Sequence, residues 1–295
     1  MSKKLLPLVS LGLLSITLVA CSGKTETIVK VEPATTTTPV VEPAKTAEVP
    51  APDKVPFDYP SVKTDAKKGD TILAPSFTMI ASSIKDPSYI SYIFYNATVV
   101  EIGDTATKVK ELLDETTIPN SLIIPIKAGQ SAKKGDIVLT WWQSGSGMQR
   151  AYVSEGGTTP TVTYLDGDDL ATEKLKADSF TVLSADWQVG TTIACKGSGG
   201  YNNLILLNVS GDKVLTSGWG GTIKVLTKSD CTPVPLKNTL KAGDTIYAAP
   251  IGSFQKATVV SVDDTKGRVK ANYEFAGSTE EGNFPFGQIL TAMPQ

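Results

Sequence analysis

The 295-residue chain contains no histidine. That absence removes Ser-His-Asp and Cys-His nucleophilic arrangements, His-ligated zinc, and the usual general base near neutral pH. Its three cysteines, Cys21, Cys195 and Cys231, are too few and too widely spaced for a zinc site or a redox motif. No basic run exceeds two residues, and 28 lysines and arginines stand against 30 acidic residues. Nothing in that balance favours nucleic acid or an anionic membrane surface. Beyond the first 21 residues the longest apolar runs, such as Leu204 to Leu207, are far too short to span a bilayer.

The motifs of common enzyme classes are missing too. The glycines at Gly197, Gly199 and Gly200, and at Gly218, Gly220 and Gly221, fit neither a phosphate-binding loop nor a dinucleotide fingerprint. They read instead as residues that allow positive φ in hairpin turns. Ser-x-x-Lys occurs at Ser82 to Lys85 and at Ser131 to Lys134, but neither reads as a helix start and no companion Lys-Thr-Gly is present. Asp166, Asp168 and Asp169 follow Tyr164, yet Leu170 takes the next ligand position of a calcium loop, so the cluster reads as a solvated turn. The expectation is a protein without catalysis, cofactor or metal.

What is present begins at the N-terminus. Lys3 and Lys4 precede an uncharged apolar stretch from Leu5 to Ala20, the pattern of a removable export signal. The stretch ends in Leu18-Val19-Ala20-Cys21, which resembles the lipobox of bacterial lipoproteins. The resemblance implies that residues 1–20 are cut off and that Cys21 becomes a lipidated mature N-terminus. Several acyl chains, at about 0.8 kcal/mol per buried methylene, would make that attachment effectively permanent. With Ser22 following, the resemblance implies an outer-membrane lipoprotein, periplasmic or surface-exposed.

Residues 21–60 read as the lipidated cysteine and a disordered tether. Residues 22–60 hold seven prolines and seven threonines and no aromatic before Phe57, too little apolar surface to offset the entropy of ordering. In an exported protein, the even pair Cys195 and Cys231 suits a disulfide, with two buried thiols as the alternative.

From residue 64 the chain reads as all-β. Four segments open alike, at Lys68-Gly69-Asp70-Thr71-Ile72, Lys134-Gly135-Asp136-Ile137-Val138, Val189-Gly190-Thr191-Thr192-Ile193 and Ala242-Gly243-Asp244-Thr245-Ile246. Each supplies a turn and then a short β-branched strand. The stretch from Ala97 to Lys110 aligns without gaps to that from Ala257 to Lys270, with eight of 14 positions identical. The second copy reads as a hairpin turning at Asp263 to Gly267; Thr107 to Glu115 reads as strand followed by a helical turn.

These segments resemble the SH3-like and Tudor-like barrel families, best at Gly243 to Ala248, Ala257 to Val259 and Val269 to Tyr273. The resemblance implies tandem small β-barrels over residues 64–130, 131–184, 185–240 and 241–295. It also implies ligand contact by strand-end aromatics, here Trp141, Trp142, Tyr164, Tyr247 and Tyr273, which can enclose a cationic side chain. Adjacent residues on a strand face opposite ways, so Trp141 and Trp142 cannot both be core. The expected role is binding of an envelope protein or peptide, with peptidoglycan attachment or adhesion to external ligands as alternatives.

Overall fold

The computed structural model describes residues 55–111, 114–167 and 171–294. The signal, Cys21, most of the tether, Asp168 and Asp169 lie outside the described residues. No helix among the described residues is long and apolar enough to cross a membrane.

Among the described residues nineteen strands form four small antiparallel sheets. The first contains β1 (Thr71–Pro75), β2 (Phe94–Ile102), β3 (Ala106–Glu111), β4 (Asp114–Pro119) and β5 (Ile124–Pro125), with helix α1 (Phe77–Lys85) after β1. The second contains β6 (Ile137–Trp141), β7 (Met148–Glu155), β8 (Thr161–Tyr164), β9 (Thr172–Lys174) and β10 (Thr181–Leu183). In the third are β11 (Thr192–Gly197), β12 (Gly200–Ser210), β13 (Lys213–Ser217), β14 (Ile223–Thr227) and β15 (Cys231–Pro233). The fourth has β16 (Thr245–Ala248), β17 (Gln255–Asp263), β18 (Arg268–Phe275) and β19 (Ser278–Pro285).

Every five-stranded sheet has the same order: four strands meander, and the fifth returns to pair with the first. That is the order of an SH3-like small barrel. In the fourth sheet a two-way backbone contact between Tyr247 and Leu290 supplies the returning segment.

The shared opening motif has a shared physical cause. Gly69, Gly135, Gly190 and Gly243 all take φ near +90°, between 87° and 92°. Each donates its N–H to the second strand, to the carbonyls of Val99, Val153, Leu206 and Val259 respectively. The aspartates finish three of the turns: Asp70, Asp136 and Asp244 accept the N–H of Lys67, Lys133 and Lys241 at 2.8–2.9 Å. In the third turn Thr191 instead donates its hydroxyl to Gln188 at 2.7 Å. Just beyond, all four second strands carry a register shift, at Val99/Glu101, Val153/Glu155, Leu206/Asn208 and Val259/Ser261. A bulge bends and twists a strand, which lets so short a sheet curl.

Two local expectations need correction. Thr107 to Glu115 is not strand and helical turn but the hairpin of β3 and β4, with Val109 opposite Thr116 and fully buried. The gapless alignment also breaks at the turn: Val99 pairs with Val109, but Val259 pairs with Ala271. The first loop is therefore two residues shorter, and an even offset keeps the same faces inward.

A barrel of this size buries only about 60% of its unfolded surface and is marginal alone. The chain answers with a common core. One buried cluster draws on all four sheets, among them Ile72, Leu139, Leu207 and Ile246, while smaller clusters lie inside the second and third barrels. The end of the segment read as tether joins this core. Tyr59 is 8% exposed and donates to Asn208 Oδ1 at 3.0 Å, while Val55 and Phe57 pack on the common cluster. Residues 55–60 thus belong to the folded unit, because Phe57 and Tyr59 bring apolar area that residues 22–54 lack.

Burial pushes the hydroxyls of Tyr59, Tyr92, Tyr152 and Tyr164 above the usual tyrosine range; at Tyr164 a hydrogen bond to Glu173 adds to it. Unfolded tyrosine ionises near pH 10 while these stay protonated, so above about pH 10 the unfolded state gains what the fold does not. Stability is expected to hold up to that pH and then fall as pH rises. Urea midpoints between pH 7 and 11 test this; the Tyr59→Phe, Tyr164→Phe double variant should show a shallower decline, and an equal decline would refute the assignment.

Candidate functional site

Where the four barrels meet, a cavity of about 460 Å³ opens to solvent, with walls from every sheet. Its floor is a polar network. Arg150 on β7 is 5% exposed and pairs with Asp166, just past β8. Its Nε donates to both carboxylate oxygens at 3.0 Å and its backbone N–H to Oδ2 at 2.7 Å, while Nη1 reaches the Thr192 hydroxyl in the third barrel. From the fourth barrel, Gln288 Nε2 donates to Asp166 at 3.2 Å and Gln288 Oε1 accepts from Asn203 at 3.0 Å. Arg268 on β18 donates to the carbonyls of Tyr164, Leu165 and Gly167 at 3.0–3.2 Å.

Asp166 was expected in a solvated turn; the structure instead bonds it to Arg150 and to Gln288 of the fourth barrel, and those two side chains reach the third. A partly buried carboxylate, 18% exposed, is tolerated because its oxygens are filled by charge-assisted and amide donors.

The rim is apolar. Trp219 follows β13 and is 80% exposed, the most exposed large hydrophobic residue described. Ile93, 48% exposed, flanks the same opening from the first barrel, and Pro250 and Gly252 line it from the fourth. The loop carrying Trp219 is pinned from the first barrel, where Tyr92 donates its N–H to Gly221 at 2.9 Å. Gly221 has φ +76°, and a Cβ there would sit 2.6 Å from the Tyr92 carbonyl. Glycine is thus required for the close approach that holds the tryptophan at the mouth.

The aromatics expected to form a cage are divided. Trp142 is 41% exposed with its ring 6.5 Å from that of Tyr164, and Trp141 is half-buried against the common core. The Tyr164 hydroxyl is occupied, donating to Glu173, with the Trp141 carbonyl 3.2 Å away. Tyr247 packs in a cluster with Phe254 and Leu290. Tyr273 stands edge-on to Phe284 at 5.9 Å. Tyr247 and Tyr273 therefore lie in the fourth sheet, apart from the other three. The one cation over a ring among the described residues is Lys228 on Trp187, at 4.7 Å.

No family model matches the sequence, and no curated protein does.

Among the described residues no group of three metal-binding side chains converges. Ser82 and Lys85 lie on the last turn of helix α1, not at a helix start, and both are exposed. Cys195 and Cys231 are disulfide-bonded, opposite each other on β11 and β15. Sequence reading missed Trp219, although one signal was there. In Ser217-Gly218-Trp219-Gly220-Gly221 the indole has no neighbouring side chain to cover it. Arg150, Asp166 and Gln288 carried no local signal, since they meet only when the barrels do.

Proposed function

We propose that this protein is a lipid-anchored envelope protein that binds a protein or peptide partner, without catalysis, at the Trp219 mouth. The lipobox ending at Cys21 supports the anchor, and the proline-rich residues 22–54 support a spacer holding the barrels clear of the outer membrane. The observation that carries the binding role is Trp219, exposed beside Ile93 and Pro250 over a cavity with a polar floor. Exposed apolar groups gathered at one opening mark interaction sites, and tryptophan dominates the energy of many such contacts. An exposed isoleucine and a proline at the same opening as the indole suit an apolar side chain of a polypeptide.

The test is crosslinked capture from the organism's own envelope extract with the full-length chain. Trp219→Ala is expected to weaken capture of a specific protein by about 30-fold, as for a hot-spot truncation near 2 kcal/mol. Trp142→Ala should leave it unchanged. Equal capture by wild type and Trp219→Ala would move the site elsewhere, and recovery of wall fragments alone would make peptidoglycan the ligand.

A further inference from the structure

One wall of the cavity runs directly into an unpaired sheet edge. β18 and β19 form a ribbon closed by Ala276 and Gly277, with φ of 51° and 85°. A two-residue loop makes its flanking residues, Phe275 and Ser278, a hydrogen-bonded pair, and bonded pairs alternate along the ribbon. The Phe286 N–H to Gly267 carbonyl bond at 2.8 Å keeps the same phase at the far end. Thr279, Glu281 and Asn283 therefore turn their N–H and C=O groups away from β18, and no partner for them occurs among the described residues. Pro285, next in phase, has no N–H and ends the donor row. Asn283, Phe284 and Pro285 are themselves cavity wall.

We propose that the partner binds as an extended basic strand that adds to β19 along Thr279 to Asn283 and then places an apolar side chain in the mouth beside Trp219. This rests on the binding role proposed above. Strand addition uses main-chain bonds for affinity and side-chain pockets for specificity. The charge of the edge selects the partner: Glu274, Glu280 and Glu281 line the exposed ribbon, against Lys270, which bonds Glu281 at 2.7 Å. Lysine or arginine on an incoming strand meets those carboxylates, whereas a second copy of this edge would set carboxylate against carboxylate.

The probe is a synthetic twelve-residue peptide alternating lysine with valine or threonine and ending in leucine and phenylalanine. It is titrated against the full-length chain, with amide hydrogen exchange read in parallel. Binding should slow exchange at Thr279, Glu281 and Asn283. Glu281→Pro removes an outward donor while sparing the ladder to β18, and Glu281→Gln removes only the charge. The proline variant is expected to bind about tenfold more weakly than the glutamine variant, as for loss of a main-chain bond and its neighbours. Matching thermal midpoints of the two variants would confirm that both are folded. Equal affinities, or no binding by wild type, would overturn strand addition; a partner captured through Trp219 in either case would leave the broader binding role standing.

Discussion

Arg150→Met is expected to lower the unfolding free energy by about 3 kcal/mol, the low end of the cost of leaving a buried charge without its partner, because the Asp166 side chain stays 18% exposed. Asp166 would keep the Arg150 backbone N–H and Gln288 but lose the guanidinium that contacts both its oxygens. The link to Thr192 would go as well, loosening the second barrel from the third. Denaturant unfolding measures the loss, and a second change provides the control. Asp166→Leu added to Arg150→Met should recover much of the stability, because a matched apolar pair carries no desolvation penalty. A single-variant loss below about 1 kcal/mol would show that water reaches Asp166 and that the network contributes little.

The second large effect belongs to the disulfide. Cys195 and Cys231 lie 36 residues apart and are two of the six buried residues in the third barrel's own cluster. Closing a loop of that length stabilises by about 3–4 kcal/mol in the chain-entropy model. The Cys195→Ala, Cys231→Ala double variant should lose about that much in denaturant unfolding. A reductant that destabilises wild type to the same degree should leave the variant unaffected. A loss under about 1 kcal/mol would mean that the reduced unfolded chain is already held compact. The third barrel also carries Trp219, so loss of capture alongside stability would tie the mouth to the integrity of this barrel.

Much of the fold was legible because its signals are local. Lys67 to Asp70, Lys133 to Asp136 and Lys241 to Asp244 each combine a glycine at positive φ with an aspartate that closes the turn. A four-residue unit that satisfies its own backbone needs no help from the rest of the chain. Residues 107–115 misled because Lys108, Val109, Leu112 and Leu113 also suit a helix. Pairing of Val109 with Val99 and Thr116 settled the matter, and that pairing is tertiary. The tether boundary shifted for a related reason: Tyr59 becomes core only once Asn208 is brought beside it.

The site was less legible. Trp141, Trp142 and Tyr164 do gather at one end of the second barrel, whereas Tyr247 and Tyr273 serve packing in the fourth. Strand position alone predicts which way a ring points, not which other barrel covers it.

The sequence by itself determined the all-β character, the opening turn of each barrel and the absence of histidine chemistry. These depend on residue type and on neighbours within a few positions. Only the tertiary structure decided that the barrels share one core, that Arg150, Asp166 and Gln288 meet, and that Trp219 stands at a mouth continuous with the free edge of β19. Those features arise from how separate barrels abut. Abutment is set by the complementary shapes of folded surfaces, which no short window of residues contains.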